Sequence, residues 1–171
     1  MEQFWQGLAA DWPDSAELLT VGFRLILAAL VGALPGLQRE RVHVAAGLRT
    51  HMLVSLGSAI FVLAALDTGA SIDATTRVIQ GLATGIGFVG AGAILKSAQN
   101  QEIRGLTTAS SIWLTAGLGT AVGVGRIWLP LFGSLLTLFI LSLLRRFESH
   151  HSEWNHLPPP PASDSPTENR R

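Results

Sequence analysis

The chain contains no cysteine and no tyrosine, and only 14% of its 171 residues are charged. Without cysteine it can form neither disulfides nor thiolate metal sites, and it has no cysteine nucleophile. Soluble domains carry roughly 25% charged residues. The formal net charge is zero, which leaves no bulk positive field to attract nucleic acid. These absences favour a protein whose surface faces something other than water.

Apolar residues make up 48% of the chain and are gathered into long runs separated by short polar clusters. A helix that crosses a bilayer needs about 20 mostly apolar residues. The runs predict five such helices, at about 17–37, 49–66, 77–95, 105–124 and 128–144. We therefore expect an all-α integral membrane protein, folded as a bundle of about five transmembrane helices.

The two ends of the chain differ in composition from this predicted transmembrane domain, residues 17–146. Residues 1–16 predict an interfacial segment, because their tryptophans favour the headgroup zone and Pro13 ends the apolar face. Asp14, three residues before Glu17, is typical of a helix cap. Residues 147–171 are polar and rich in proline, which predicts a disordered cytoplasmic tail.

Basic residues are distributed unequally between the ends of the predicted spans. One set of ends carries Arg39, Arg41, Arg49, Lys96, Arg104, Arg145 and Arg146, whereas the other carries Arg77 and Arg126. Loops rich in lysine and arginine stay in the cytoplasm. The asymmetry predicts an N-terminus outside and a cytoplasmic C-terminus.

The predicted spans are rich in small residues at helical spacing. The candidate packing positions are Gly32, Gly36, Gly81, Gly85, Gly87, Gly90 and Gly92. Small residues allow close approach of helix backbones in lipid. Because the glycines of the third span occupy more than one face, we expect that helix to be central. A conduction pathway along the glycines is the alternative.

Three other features are weighed against simpler explanations. The G-x-G-x-x-G pattern at 85–90 lies inside an apolar span rather than after a strand, which argues against a dinucleotide site. The histidines and glutamates after the last span fit a solvated tail better than a metal site, and we expect neither metal nor cofactor. Arg24 is a functional candidate because it is charged within a span, with snorkelling to the headgroups as the simpler explanation.

The most informative constellation lies on the predicted cytoplasmic side, where two arginines each precede or open a helix beside a threonine. The cluster consists of Arg39, Glu40, Arg49, Thr50, Arg104 and Thr107. Helix N-termini present free N–H groups and partial positive charge, so two of them with an arginine each predict an anion or lipid-phosphate site. The alternative is that these arginines only set the topology.

Four segments together closely resemble the MgtC/SapB family of bacterial membrane proteins. They read RLILAALVGALPGLQRE, AGLRTHMLVSLGSAIF, GIGFVGAGAIL and IRGLTTASSIWLTAGLGTAVGVG, and they cover roughly residues 20–130. The resemblance implies a multi-pass inner-membrane protein linked to magnesium limitation and, in pathogens, to virulence. It also implies action on partner membrane proteins, including the F-type ATP synthase, and no enzymatic activity.

The chain departs from the family pattern in two places. Many relatives have glutamate where this chain has Gln38, so a role for an acid there is in doubt. Many relatives also carry a cytoplasmic ACT-like domain, which we expect to be missing because about 25 low-complexity residues are too few to form one.

Three classes of function follow. The first is a non-enzymatic regulator that binds partner membrane proteins through small-residue faces, with homo-oligomerisation left open. The second is an ion transporter or channel for Mg²⁺ or a small anion. The third is a membrane enzyme, which we do not expect, because Ser110, Ser111 and Thr115 have no base beside them within the spans and are predicted to hydrogen-bond between helices.

Overall fold

The computed structural model describes Met1, Trp5 and residues 14–42, 44–96 and 103–151, without the side chains at 95–96 and 144–151. Within this part, five helices form the bundle: α1 (Ser15–Arg41), α2 (Leu48–Asp67), α3 (Ile72–Gly92), α4 (Leu106–Gly123) and α5 (Trp128–His151). The five predicted helices are confirmed. A short antiparallel pair, β1 (Leu95–Lys96) with β2 (Ile103–Arg104), joins α3 to α4 and was not predicted. Most of the predicted interfacial segment and most of the tail lie outside the described residues, whereas the first residues of the tail, 147–151, continue helix α5 rather than being disordered.

Side-chain caps fix where two of the helices begin. Asp14 Oδ1 accepts a hydrogen bond from the backbone N–H of Glu17 at 2.7 Å, as the sequence predicted. Ser71 caps α3 in the same way, accepting from the N–H of Ala74 at 3.2 Å. Helix α3 therefore begins at Ile72, earlier than the predicted start near residue 77, and Asp73 falls in its first turn, where the helix dipole favours an acid.

The centre of the bundle is occupied by α2 and α4. Helix α4 makes extensive contacts with all four other helices, and α2 packs tightly against both α1 and α4. Helix α3 contacts α2 and α4 along one side and buries only Thr75 and Gly90 among its residues, all of which are described. The prediction that the third helix is central is therefore wrong. Most of its glycines make no close contact with another described helix.

The interior of the bundle combines mostly small apolar residues, such as Ala28, Val31 and Val62, with many polar ones, whereas the exterior is apolar. The buried polar residues are Arg39, His51, Ser55, Ser58, Thr75, Thr108, Ser111, Thr115, Ser134 and Thr137. Large apolar side chains lie outside, with Phe88 84% and Phe132 69% exposed. This is the reverse of a water-soluble bundle, in which such side chains form the core. Helices α1 and α2 are also long and apolar enough to cross a membrane.

Candidate functional site

The residues of the predicted cluster lie where α1 ends and α2 and α4 begin. This region, residues 39–41, 47–51 and 104–111, is called the basic end below. Hydrogen bonds across it tie the end of α1 to the first turns of the two central helices. The local sequence explains the meeting: Gly36 allows α1 to approach the start of α2 so closely that a Cβ there would lie 2.9 Å from Leu48 Cα.

Arg39 is the charged side chain buried at the basic end. Only 8% of its surface is exposed. Its Nη2 donates a hydrogen bond to Thr108 Oγ1 at 2.8 Å, whereas its buried Nε has no partner. In the described part of the chain, no aspartate or glutamate forms an ion pair with it. A guanidinium has five N–H donors, so most of its hydrogen-bonding capacity is unused within the protein.

His51 is completely buried near Arg39, in the second turn of α2. Its Nδ1 lies 2.9 Å from the carbonyl oxygen of Gly47, which can only accept, so Nδ1 carries a proton. Its Nε2 lies 3.2 Å from Ser111 Oγ. The same hydroxyl lies 2.8 Å from the carbonyl oxygen of Thr108. One hydroxyl proton therefore has two competing acceptors when His51 is neutral.

The pairing of His51 with Ser111 corrects one expectation from the sequence, that no base lies beside the hydroxyls of the spans. A serine next to a histidine can form an activated nucleophile. Here, however, His51 is fully buried and Ser111 is 4% exposed, and the hydroxyl also lies 2.8 Å from the carbonyl oxygen of Thr108. Ser110 and Thr115 bond to carbonyls of their own helix rather than between helices. The arrangement organises the α2–α4 contact.

Glu40 has a structural partner that the sequence did not reveal. Its Oε2 accepts a hydrogen bond from the backbone N–H of Leu48 at 2.7 Å. The N-cap position of α2 is Gly47, which has no side chain of its own to cap the helix. Any Cβ at Gly47 would meet this carboxylate, so the glycine makes room for a cap supplied by α1.

The remaining predicted residues lie around the buried side chains of Arg39 and His51. Arg49 and Thr107 lie in the first turns of α2 and α4 with exposed side chains, and Arg104 ends β2 in an exposed position. Thr50 is half-buried. The hydrogen bonds described above run through their neighbours, from Arg39 to Thr108 and from Glu40 to Leu48. That Arg49, Arg104 and Thr107 act as one binding cluster stays a prediction.

Arg24 serves the opposite end of the bundle. Its Nη1 donates to the carbonyl oxygen of Gly123 at 3.4 Å, at the last residue of α4. Gly125, with φ of 90°, lets the guanidinium lie against the turn that follows. A cation at a helix C-terminus is favoured by the helix dipole. The intramembrane charge predicted from the sequence thus has a structural role in closing α4.

The predicted packing glycines fall into two groups. A Cβ at Gly32 would lie 2.6 Å from the carbonyl oxygen of His51, so this glycine, like Gly36, sits in direct contact with α2. Gly90 faces Ala109 of α4 at ordinary contact distance. The other glycines of α3 have no heavy atom within 4 Å of a Cβ position: Gly81, Gly85, Gly87 and Gly92. A packing role for these four stays a prediction that needs a neighbour outside the described chain.

Two cavities open on the sides of the bundle. One, of about 500 Å³, is an almost wholly apolar groove between α2 and α3, lined on the α3 side by Gly81 and Gly85. The other, of about 930 Å³, lies between the first half of α1 and the end of α2 and is lined in part by Glu17, Arg24 and Asp67. The described residues contain no group of three or more metal-ligating side chains. The histidines predicted to stay solvated have no described side chains.

The sequence did show a signal for the buried polar layer, although it was overlooked. His51, Ser55 and Ser58 recur on one face of α2, and Thr108, Ser111 and Thr115 recur on one face of α4. Polar residues at i, i+3, i+4 and i+7 within an apolar run mark the face that turns to another helix rather than to lipid.

The five-helix bundle has an apolar exterior, an interior of small apolar and polar residues, and a basic end. These features are typical of small helical membrane proteins. The sequence profile of the MgtC family matches residues 25–150, which include the basic end and both cavities except the start of α1. The chain belongs to the MgtC family, which confirms the predicted resemblance.

Several named proteins are similar to this chain. It is 44% identical over 149 residues to protein SrpB of Synechococcus elongatus, covering 81% of this chain and 79% of that protein. It is 41% identical over 130 residues to the putative magnesium transporter YhiD of Escherichia coli K12, covering 72% of this chain and 60% of YhiD. Protein MgtC of Salmonella typhimurium is 40% identical over 121 residues, or 71% of this chain and 51% of MgtC. No solved structure matches the chain.

Proposed function

We propose that this chain is a non-enzymatic, multi-pass protein of the bacterial inner membrane that regulates partner membrane proteins when magnesium is scarce. The observation that supports this most directly is the reversed polarity of the bundle, with exposed Phe88 and Phe132 and buried Arg39 and His51. Lipid tolerates such an exterior and water does not. The N-terminus lies outside the cell and the C-terminus in the cytoplasm, which places the basic end at the cytoplasmic leaflet.

The link to magnesium comes from relatives. One similar protein is named a putative magnesium transporter, and another is MgtC. The chain spans 60% of the first and 51% of the second, so the part of each that is matched here carries the shared role in this proposal. In pathogens the same role extends to virulence.

The groove between α2 and α3 is the surface that we assign to a partner helix. It is apolar and open, and Gly81 and Gly85 leave backbone exposed along it. Close backbone approach at small residues is a common way for helices to associate within lipid. The F-type ATP synthase is the first partner to test, and a second copy of this chain is the next.

A photo-crosslinking experiment tests the partner assignment. A photoreactive side chain replaces Gly85 in the groove or, as a matched control, Phe132 on the exposed face of α5. In magnesium-starved cells, the Gly85 probe should capture a membrane protein that the Phe132 probe does not. Antibodies to ATP synthase subunits and to the chain itself identify the product. Equal labelling from both positions would contradict a partner in the groove.

The arginines of the basic end are tested by exchange for lysine. If Arg49 and Arg104 recognise a carboxylate or phosphate through their planar forks, Arg49→Lys with Arg104→Lys should reduce growth at limiting Mg²⁺ by several-fold or more. If the arginines only set the topology, lysine should suffice, since either charge holds a loop in the cytoplasm. Membrane levels measured by immunoblot serve as the control, and normal growth at normal levels would reduce the cluster to a topology signal.

An ion transporter is the second candidate, and the acidic cavity favours it. Glu17 and Asp67 line the cavity at the end opposite to the basic end, where an incoming cation would first meet the protein. Uptake of Mg²⁺ into proteoliposomes, followed with an internal indicator dye, separates the candidates. Uptake that falls in a Glu17→Gln and Asp67→Asn double variant supports transport, whereas uptake no faster than in empty liposomes supports the regulator.

A further inference from the structure

The buried guanidinium of Arg39 has no counter-charge in the described chain. Its side chain is more than nine-tenths buried, with 8% exposed. One neutral hydroxyl, that of Thr108, accepts from Nη2, and the buried Nε has no partner. Removing a charge from water is strongly unfavourable unless an opposite charge and hydrogen bonds compensate. The environment of Arg39 therefore lacks an anion.

The first turn of α4 adds to the same positive potential. Its N-cap is Gly105, which has φ of 95° and no side chain, so no capping hydrogen bond is made. The backbone bonds of the helix begin with the N–H of Ala109 donating to the carbonyl of Gly105 at 2.8 Å. The earlier N–H groups, including that of Thr108, have no intrahelical acceptor. A buried cation thus touches the positive pole of a helix, an unfavourable pairing of like charges.

No acidic side chain of the described basic end compensates for this charge. Glu40 is the acid adjacent to Arg39 in sequence, but its Oε2 accepts from Leu48 at the start of α2. Arg49 and Arg104, at the same end of the bundle, are cationic. The side chain before Arg39 is the neutral Gln38, whose Nε2 donates to the carbonyl oxygen of Leu141 on α5. The compensating anion is therefore not supplied by any described residue of the basic end.

We infer that Arg39 and the first turn of α4 bind a phosphate group, supplied by the headgroup of an anionic lipid. Arg39 lies in the last turn of α1, a helix long and apolar enough to cross a membrane. Its guanidinium is therefore at the depth where headgroup phosphates lie. Free helix N–H groups together with an arginine fork match the oxygens of a phosphate. This site rests on the membrane location proposed above and is separate from the groove between α2 and α3.

The experiment measures thermal unfolding of the full chain in a neutral detergent with different additives. Phosphatidylglycerol is compared with a diacylglycerol that has the same acyl chains and no phosphate, and inorganic phosphate is added separately at millimolar concentration. We expect phosphatidylglycerol to raise the unfolding temperature by about 5 °C more than the diacylglycerol does. If inorganic phosphate reproduces the shift and the lipid adds nothing over diacylglycerol, the site binds free phosphate instead of lipid.

Variants separate binding from a purely structural role of the arginine. Arg39→Gln removes an uncompensated charge, so its unfolding temperature in detergent alone should equal or exceed that of the parent chain. The additional stabilisation by phosphatidylglycerol should disappear. Arg77→Gln and Arg126→Gln, each of which removes an exposed cation from the other end of the bundle, should keep most of it.

Several outcomes would overturn the inference. They are equal stabilisation of the parent chain by phosphatidylglycerol, diacylglycerol and detergent alone, or full stabilisation retained in Arg39→Gln. Equal destabilisation of Arg39→Gln with and without lipid would assign the arginine to the bond with Thr108 alone. If that variant fails to fold, the comparison of lipids on the parent chain still decides, and Arg39→Lys, which keeps the charge without the fork, should show a reduced shift.

Discussion

Helices α3 and α4 have similar compositions, but α4 lies at the centre of the bundle and α3 at its side. Both are apolar, and both contain several glycines. In α4, Gly119 and Gly123 pack against the backbone of α2, whereas in α3 a Cβ at Gly85 or Gly87 would meet nothing within 4 Å. The comparison teaches that a small residue in an apolar helix indicates a close neighbour without showing whether that neighbour belongs to the same chain.

The largest effect is expected where α4 meets α2. A Cβ at Gly119 would overlap the carbonyl oxygen of Ser55, which is backbone and cannot move aside. We expect Gly119→Ala to lower the free energy of unfolding by about 3 kcal/mol, measured by denaturant titration in mixed micelles. Gly117→Ala in the same helix, where nothing lies within 4 Å, is the matched control. Similar stability of the two variants would mean that α4 is not central.

The next largest effect is expected in the connection between α3 and α4. Gly105 has φ of 95°, a conformation that other residues rarely adopt, and a Cβ there would overlap the carbonyl oxygen of Ala93. Gly105→Ala should therefore lower the free energy of unfolding by about 2 kcal/mol. The control is Gly69→Ala, with φ of 69° and open space around it, which carries the backbone strain without the clash and should lose about 1 kcal/mol.

Within α3 itself, two glycines should respond differently to a large side chain. Gly90 faces Ala109 of α4 with 3.5 Å between a Cβ and the nearest oxygen, so Gly90→Leu has to push the helices apart. We expect a loss of about 1–2 kcal/mol and a lower yield of folded protein. Gly85→Leu should leave both unchanged, within about 0.5 kcal/mol. If the glycines of α3 were all contact surface, as their distribution in the sequence suggested, both variants would lower the folded yield, and that result would restore the sequence-based interpretation.

The smallest effect on stability is expected for a variant of the groove between α2 and α3, which should nevertheless have the largest effect on binding of a partner helix. Gly81→Ala with Gly85→Ala adds two methyl groups to the open groove, and alanine favours the helix by up to about 1 kcal/mol per site. Unfolding in detergent should be unchanged or slightly more difficult. Crosslinking from α3 to its partner in cells should nevertheless fall. Unaltered crosslinking together with unaltered stability would show that the glycines of α3 face lipid.

The sequence was sufficient to predict the five helices because each apolar run is long and bounded by polar residues. The cap at Asp14 was also predictable, since it depends on neighbours in sequence. The early start of α3 at Ile72 was not predicted because Asp73 precedes the apolar run, although the cap at Ser71 outweighs it.

The predicted cluster lies at the same end of the bundle as the buried hydrogen bonds, but most of those bonds involve other residues. Arg39 was included in the predicted cluster, whereas His51, Thr108 and Ser111 were not. Their pairing depends on the rotation of α2 against α4, which the close contact of Gly119 with Ser55 determines. That rotation is a property of two distant segments, so no local pattern in either segment specifies it.

The hydrogen bond from Leu48 to Glu40 bears on how the protein is made. It closes the turn between α1 and α2 and requires nothing from later in the chain. These helices also pack directly through Gly32 and Gly36. Because local contacts form early in folding, we expect α1 and α2 to enter the bilayer as a preassembled hairpin. Arg39 then remains hydrated until Thr108 arrives with α4 and accepts its hydrogen bond.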